Sequence, residues 1–238
     1  MAVIVAFDAP ASFAAKAATK TIPIVFVTGA DPVKTGLVDS FSRPGGNLTG
    51  VSVLISILGP KRLELLRELL PSTSTFALLV NPDNPNVGAD APETEAAANA
   101  IGRHLEVLAA STEGDLEAAF TTMVRRQAGA LIVMPDPLFF VRRAQLVALA
   151  ARYALPTIYP AREFTENGGL MSYGTNLSLD LAQQAGTYTG KILRGAKPAD
   201  LPVQQTIRLE LIINLKTAKA LALTIPPTLV ARADDVIE

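Results

Sequence analysis

The chain has 238 residues, of which 49% are hydrophobic, and its formal net charge at pH 7 is -1. This composition is typical of a soluble globular protein with an ample core, and no strongly basic segment suggests a nucleic-acid partner. The absence of cysteine excludes disulfides and thiolate chemistry, and the single histidine excludes a metal site built from several histidines.

The first 56 residues predict a small set of strands with one helix between the first two. The β-branched run Ala2–Ala6 predicts a strand, and Asp8 predicts the cap of a helix that carries a proline in its first turn. Two further strands are predicted at Ile24–Val27 and Leu48–Ser52, with a short helical piece around Leu37–Phe41 between them.

From residue 57 onwards the pattern becomes a regular alternation of apolar strands and amphipathic helices. The predicted strands are Phe76–Val80, Leu105–Ala109, Ala130–Met134, Thr157–Tyr159 and Leu170–Tyr173. Helices of about 10 to 16 residues between strands are typical of βαβ units, so the chain is predicted to be an α/β protein with parallel sheets. A helix that Ser178 caps, a strand at Arg208–Ile213 and a helix that Asn214 caps are predicted to follow.

Two helices have a predicted inward face. In the helix near Asp115–Arg126 the inward residues are predicted to be Leu116, Phe120 and Met123. In the next helix they are predicted to be Phe140, Ala144, Val147 and Ala151.

Polar residues follow the carboxyl ends of several strands, where ligands bind in open parallel sheets. The candidates are Ser12, Thr28, Asp31, Asn81, Asn84, Asp136 and Glu163. The alternative is that residues such as Asp136 only cap the helices that follow them, and the sequence leaves both interpretations open.

Three aromatic residues, Tyr159, Phe164 and Tyr173, lie close together in the sequence, and either core packing or stacking on a ligand fits them. Motifs of nucleophilic, dinucleotide-binding or phosphate-binding enzymes are absent, so the sequence predicts no catalytic residue, no cofactor and no metal. An enzyme that uses Asp31 and Asp136 as a carboxylate pair stays open as an alternative, because the sequence alone does not place them together.

Several segments resemble the substrate-binding proteins of ABC importers, in the subfamily similar to TrpX tryptophan-binding proteins. They include TGADPVKTGLV near residue 30, NPDNPN from residue 81, GALIVMPDPLFF from residue 129 and REFTENGGLMSYGTN from residue 162. The resemblance implies a type I periplasmic-binding-protein fold with two lobes that hold a solute between them. It also implies a small-molecule ligand, an amino acid among the candidates, and an ABC permease as partner, with no catalytic activity.

Through the resemblance, the first lobe is expected at residues 1–56 and 177–222 and a complete second lobe at residues 57–176, with residues 223–238 as a tail on either lobe. Ser12, Thr28 and Asp31 are the expected contacts of the first lobe. On the second lobe, Asp136 is an expected partner of a ligand amino group. The other expected contacts there are Asn81, Asn84, Tyr159, Glu163, Phe164, Tyr173 and Asn176.

Family members have further β/α units before the strand at Ala2–Ala6, so the first lobe is expected to be incomplete. An exposed strand edge predicts a homodimer or a tendency to aggregate. The resemblance implies a periplasmic or other extracytoplasmic, lipid-anchored protein, although Met1–Ala6 does not read as a signal peptide. The ligand-sensing core of a LacI-like regulator is a second alternative, because it shares the fold.

Overall fold

The computed structural model describes residues 2–53, 58–84, 87–175, 180–205 and 209–238. The chain divides into two compact units. The first unit comprises Met1–Ser56 and Asn176–Arg208, and the second comprises Ile57–Thr175 and Leu209–Glu238.

Strands and helices alternate through most of the described residues. In chain order the strands are β1 (Ile4–Phe7), β2 (Ile24–Thr28), β3 (Leu48–Ser52), β4 (Thr75–Val80), β5 (His104–Ala109), β6 (Ala130–Val133), β7 (Thr157–Tyr159), β8 (Met171–Thr175), β9 (Gln204–Gln205), β10 (Leu209–Asn214) and β11 (Asp235–Ile237). The helices are α1 (Ala9–Ala18), α2 (Gly59–Leu69), α3 (Val87–Ala100), α4 (Glu113–Arg125), α5 (Pro137–Val141), α6 (Arg143–Arg152), α7 (Arg162–Glu166), α8 (Asp180–Leu193), α9 (Leu215–Ala220) and α10 (Pro227–Val230).

The first unit is built on a parallel sheet of four strands in the order β1-β2-β3-β9. Strands β2 and β3 are buried along their whole length, and the apolar, largely β-branched sequence of β2 suits this position. Asp8 caps α1 as predicted, since its side chain accepts a hydrogen bond of 2.8 Å from Ala11 N.

The prediction of a short helix around Leu37–Phe41 is wrong, because the chain forms hydrogen-bonded turns at residues 32–36 and then bends without helical structure at residues 37–41. Gly36 adopts a φ of 71°, a left-handed conformation that ends the preceding turn. Lys16 of α1 then donates hydrogen bonds to the carbonyl oxygens of Gly36 and Leu37, which ties this turn to α1.

The second unit contains a sheet of seven strands in the order β11-β10-β8-β7-β6-β4-β5. Strands β4 to β8 are parallel to one another, whereas β10 runs antiparallel to β8. The parallel βαβ arrangement therefore confirms the predicted α/β class. The large core cluster of this unit includes Leu63 and Leu66 of α2 and Phe76, Leu78 and Ile132 of the sheet.

The boundary expected near the carboxyl end of the chain is corrected by the strand pairing. Residues 209–222 were expected in the first lobe, but they lie in the second unit because β10 pairs with β8. The expected tail, residues 223–238, also belongs to the second unit, where β11 adds a parallel strand to the other side of β10.

The inward face of α4 is as predicted, with Leu116, Phe120 and Met123 all fully buried. The prediction for the next helix holds for Val147 and is wrong for Ala144 and Ala151, which are exposed, whereas Phe140 is half-buried. The buried residues there are Phe139, Leu146, Val147, Leu149 and Ala150. The helix is interrupted after Val141, so α5 and α6 are separate segments and a single helical period does not describe both.

Candidate ligand-binding site

Three of the expected contacts of the second unit form one hydrogen-bonded network. Asn81 and Asn84 follow β4, and Asp136 follows β6, the strand beside it. Asn81 Nδ2 lies 3.1 Å from Asp136 Oδ1, and Asn84 Nδ2 lies 2.8 Å from Asp136 Oδ2. The network forms because the carboxyl ends of neighbouring parallel strands meet at the same edge of the sheet.

Asp136 is only 3% exposed, and its carboxylate accepts a third hydrogen bond, of 2.8 Å, from Leu138 N at the start of α5. A buried carboxylate needs such donors to offset the loss of water. Asp136 is therefore a helix cap and also the link between the loops after β4 and β6. The helix-capping alternative describes the geometry of Asp136.

Tyr159 and Phe164 lie in the core, as the core-packing alternative predicts. Both side chains are fully buried, and their rings stack with centroids 5.0 Å apart. Phe140 packs edge-on against Phe164, with centroids 5.2 Å apart. A Cβ atom added at Gly169 would lie 2.6 Å from a carbon of the Tyr159 ring, so the glycine is needed for this close packing.

Glu163 lies in the first turn of α7, after the carboxyl end of β7. Its side chain is half-buried, and its Oε2 atom is buried without a hydrogen-bond partner among the residues that the structure describes. A carboxylate oxygen in this state is suited to accept a hydrogen bond from a ligand ammonium group.

Tyr173 is half-buried in β8, and its carbonyl oxygen accepts a hydrogen bond of 2.9 Å from Arg62 Nε. Arg62, in α2, is fully buried, and it is not among the residues predicted from the sequence to bind a ligand. Burial lowers the pKa of the Arg62 guanidinium to about 10, although the charges of Asp90 and the Tyr173 phenol oppose this shift. No sequence signal marks Arg62 as buried, because a charged residue in a surface helix is usually solvated.

In the first unit, Ser12, Thr28 and Asp31 all take part in local hydrogen bonds at the carboxyl ends of β1 and β2. Ser12 Oγ donates to Asp8 O at 2.6 Å, and Thr28 Oγ1 accepts from Ala30 N at 3.2 Å. Asp31 Oδ1 accepts from the backbone N–H groups of residues 33 and 34 at 2.9 and 3.1 Å. These three residues therefore shape the loops at this edge of the sheet.

Asn176, the remaining expected contact, lies outside the described residues. In the part of the chain that the structure describes, no group of three or more His, Cys, Asp or Glu side chains could hold a metal ion. Among the same residues, no helix combines the length and the apolar character that a membrane span requires.

The family model for ABC transporter substrate binding proteins matches residues 1–237. A tyrosine-binding protein from Clostridioides difficile (strain R20291) is 30% identical over 218 residues, which make up 92% of this chain. The chain spans 62% of the length of that relative.

Solved structures agree with the family match. An ABC domain in complex with L-Trp from Streptococcus pneumonia is 29% identical and has a TM-score of 0.87, over 99% of this chain and 80% of that chain. A conserved domain protein from Vibrio cholerae O1 biovar eltor is 29% identical with a TM-score of 0.89, over 98% of this chain and 78% of that chain. These structural relatives confirm the expected type I periplasmic-binding-protein fold, and the family match shows that the chain belongs to the ABC transporter substrate-binding proteins.

Proposed function

We propose that this protein is the solute-binding component of an ABC importer and that its solute is an aromatic amino acid. The observation that carries the proposal is the match of the substrate-binding family over residues 1–237. The tyrosine-binding relative and the structure with L-Trp support an aromatic side chain in the ligand. The family match also favours this function over an α/β enzyme or the sensing core of a LacI-like regulator.

We also propose that the protein acts outside the cytoplasm and that its partner is an ABC permease. The proposal also includes the absence of catalysis, in keeping with relatives that are named as binding proteins. A bound amino acid is then recovered unchanged after incubation with the protein, and mass spectrometry of the mixture tests this.

On the second unit, we assign the ligand ammonium group to the carboxylates of Asp136 and Glu163. Asp136 carries a carboxylate directly after β6, and Glu163 Oε2 is a buried acceptor without a partner in the described part of the chain. Tyr159 and Phe164 are omitted from the proposed contacts because their rings pack in the core. Ser12, Thr28, Asp31, Asn81, Asn84, Tyr173 and Asn176 stay predicted contacts.

Calorimetric titration of the full chain with L-tyrosine, L-tryptophan, L-phenylalanine, L-leucine and L-lysine tests this function. We expect saturable binding of at least one aromatic amino acid and at least tenfold weaker binding of leucine and lysine. Glu163→Gln should weaken the binding of the best amino acid, whereas Glu117→Gln, at an exposed position of α4, should not. Equally weak binding of all five amino acids would contradict the proposal that the solute is an aromatic amino acid.

A further inference from the structure

The short helix α7 carries Glu163, one of the two carboxylates that we assign to the ligand ammonium group. A helix of five residues is far too short to be stable in isolation. Its N-cap position is occupied by Ala161, which has no polar side chain to cap the helix. The place of Glu163 therefore depends on the contacts that hold α7 to the rest of the second unit.

The part of α7 that follows Glu163 is held by the core and by β10. The ring of Phe164 stacks on the ring of Tyr159, with centroids 5.0 Å apart. Asn214 Nδ2, at the end of β10, donates a hydrogen bond of 3.3 Å to Thr165 O. These contacts lie on the carboxyl-terminal side of Glu163, so the start of the helix needs an anchor of its own.

Arg162, the residue before Glu163, supplies this anchor because its guanidinium reaches three carboxylates. Its Nε donates to Glu210 Oε1 in β10 at 2.9 Å, and its Nη2 donates to Asp235 Oδ2 in β11 at 3.0 Å. Its Nη1 donates to Glu166 Oε1, one helical turn further along α7, at 3.0 Å. The planar guanidinium holds its donors in a fixed arrangement, so Arg162 fastens the start of α7 to β10 and β11.

The three partners of Arg162 differ in exposure, and exposure ranks their contributions. The side chains of Glu210 and Arg162 are 15% and 25% exposed, whereas those of Glu166 and Asp235 are about half exposed. Water screens exposed ion pairs so that they contribute little, whereas a shielded, charge-assisted hydrogen bond contributes more. The hydrogen bond from Arg162 to Glu210 is therefore the main anchor of the start of α7.

We propose that Arg162, held by Glu210, is a positioning residue of the amino-acid site, because it fixes α7 so that the Glu163 carboxylate meets the ligand ammonium group. This inference rests on the proposed function, in which Glu163 contacts the ligand. Arg162 itself is assigned no contact with the ligand, since its donors are directed at the three carboxylates. The proposal extends the residues that determine ligand binding to β10, in which no ligand contact is predicted.

Calorimetric titration with L-tyrosine and L-tryptophan, and with the corresponding arylpropanoates that lack the amino group, tests the positioning role. Arg162→Gln should weaken the binding of the better amino acid by about three- to tenfold, as expected for a misplaced hydrogen bond. The affinity for its arylpropanoate should stay within about twofold of the wild type, because that ligand does not use Glu163. Removal of a positive charge would by itself favour a bound ammonium group, so weaker binding reports the loss of position.

A double-mutant cycle shows whether Arg162 acts through Glu163. The double variant Arg162→Gln/Glu163→Gln should bind the amino acid no more weakly than Glu163→Gln alone. Glu210→Gln should reproduce the effect of Arg162→Gln, and Arg162→Lys should recover part of the affinity because it keeps the charge. The matched control is Arg232→Gln, which removes the ion pair of the carboxyl-terminal segment with α2 and should leave the affinity unchanged. Additive losses in the double variant, or equal losses for the amino acid and its arylpropanoate, would overturn the positioning role.

Hydrogen exchange of the ligand-free protein tests the anchor without a ligand. The amides of Asn167 and Gly169 donate to carbonyl oxygens of α7, and their exchange should be faster in Arg162→Gln and unchanged in Arg232→Gln. Unchanged exchange in Arg162→Gln would overturn the inference.

The same titrations separate this inference from the proposed function. If Glu163→Gln weakens amino-acid binding and Arg162→Gln does not, the positioning role is overturned and the proposed function stands. If the wild type binds neither aromatic amino acid, the proposed function is overturned and the positioning role with it.

Discussion

At the scale of single residues, Asp136 joins two loops through one carboxylate. Its three donors come from Asn81, Asn84 and Leu138, and it is almost completely buried. Without the carboxylate, donors in a nearly water-free position would be left unsatisfied, which costs more than a hydrogen bond contributes. The loops after β4 and β6 therefore depend on this side chain whether or not it contacts a ligand.

Asp136→Ala is expected to lower the free energy of unfolding by about 2 to 4 kcal/mol, because it removes a helix cap and leaves buried donors unpaired. Urea denaturation followed by circular dichroism measures this change. The control is Thr112→Ala, which removes the cap of the exposed start of α4 and should cost only about 1 kcal/mol. Equal costs for the two variants would show that the buried network adds nothing to the cap.

Arg62 is the second residue whose role depends on burial. Asp90 is 4% exposed, and its charge opposes the lowering of the Arg62 pKa. Arg62→Met should destabilise the fold by about 3 to 5 kcal/mol, since a buried carboxylate then loses its compensating cation. Denaturant titration of this variant measures the effect.

Adding Asp90→Asn to Arg62→Met should recover at least half of the lost stability, because the remaining buried charge is removed as well. The single variant Asp90→Asn completes the double-mutant cycle. If the double-mutant cycle gives no interaction free energy between positions 62 and 90, Asp90 does not compensate the buried charge of Arg62.

At the scale of elements, sequence periodicity is informative where a helix is continuous. The period of α4 predicts its buried face, whereas the break between α5 and α6 shifts the buried residue from Phe140 to Phe139. Periodicity assumes one unbroken helix, so an interruption after Val141 changes which residues face inward. The sequence also does not determine the strand order, because the pairing of β10 with β8 joins residues that are distant in the chain.

The element α10 is held to α2 by Glu68, which accepts a hydrogen bond of 2.8 Å from Thr228 and pairs with Arg232. These contacts lower the pKa of the Glu68 carboxyl, the Thr228 hydrogen bond most of all. Because the pKa of the Glu68 carboxyl is lower in the folded than in the unfolded protein, these contacts stabilise the protein fully at pH values above the unfolded pKa of about 4.3. This stabilisation is lost as the pH falls through the lower folded value.

Glu68→Gln should therefore reduce the hydrogen-exchange protection of residues 229–232 at pH 7, by less than about 1 kcal/mol because the pair is largely solvated. At pH 3 the difference from the wild type should shrink, as the wild-type carboxyl becomes protonated. Glu64→Gln is the matched control, since Glu64 of the same helix pairs with Lys61. A difference from the wild type that grows at low pH would contradict the assigned sign.

At the scale of the whole molecule, β1 lies at one edge of the four-stranded sheet. Val5 and Phe7 of this strand are 41% and 50% exposed. An apolar edge strand can pair with a strand of another chain, so we expect the protein to self-associate. Light scattering after size-exclusion chromatography measures its mass, and Val5→Lys should shift the population towards the monomer.

The matched control for Val5→Lys is Val124→Lys, at an exposed position of α4 that belongs to no strand edge. It should leave the mass distribution unchanged. A monomeric wild type at high concentration would contradict the expected pairing through β1.

The overall architecture was more accessible from sequence than the chemistry of the site. Alternating strands and helices indicate parallel sheets, and the polar loops after β4 and β6 could be placed at one edge because parallel strands align there. The burial of Tyr159 and Phe164 depends on how α7 folds back over the sheet, and the burial of Arg62 depends on contacts with β8. Such contacts between distant segments leave no local pattern in the sequence.

The antiparallel pair β8–β10 has a consequence for protein engineering. Thr175 and Leu209 are paired partners in this ladder, so residues 176–208 of the first unit are an insertion between two strands that already lie side by side. A two-residue Asn-Gly turn can join antiparallel strands in such a pair. Residues 57–175 joined through this turn to residues 209–238 should then fold alone, with a single cooperative unfolding transition, as a minimal carrier of the seven-stranded sheet.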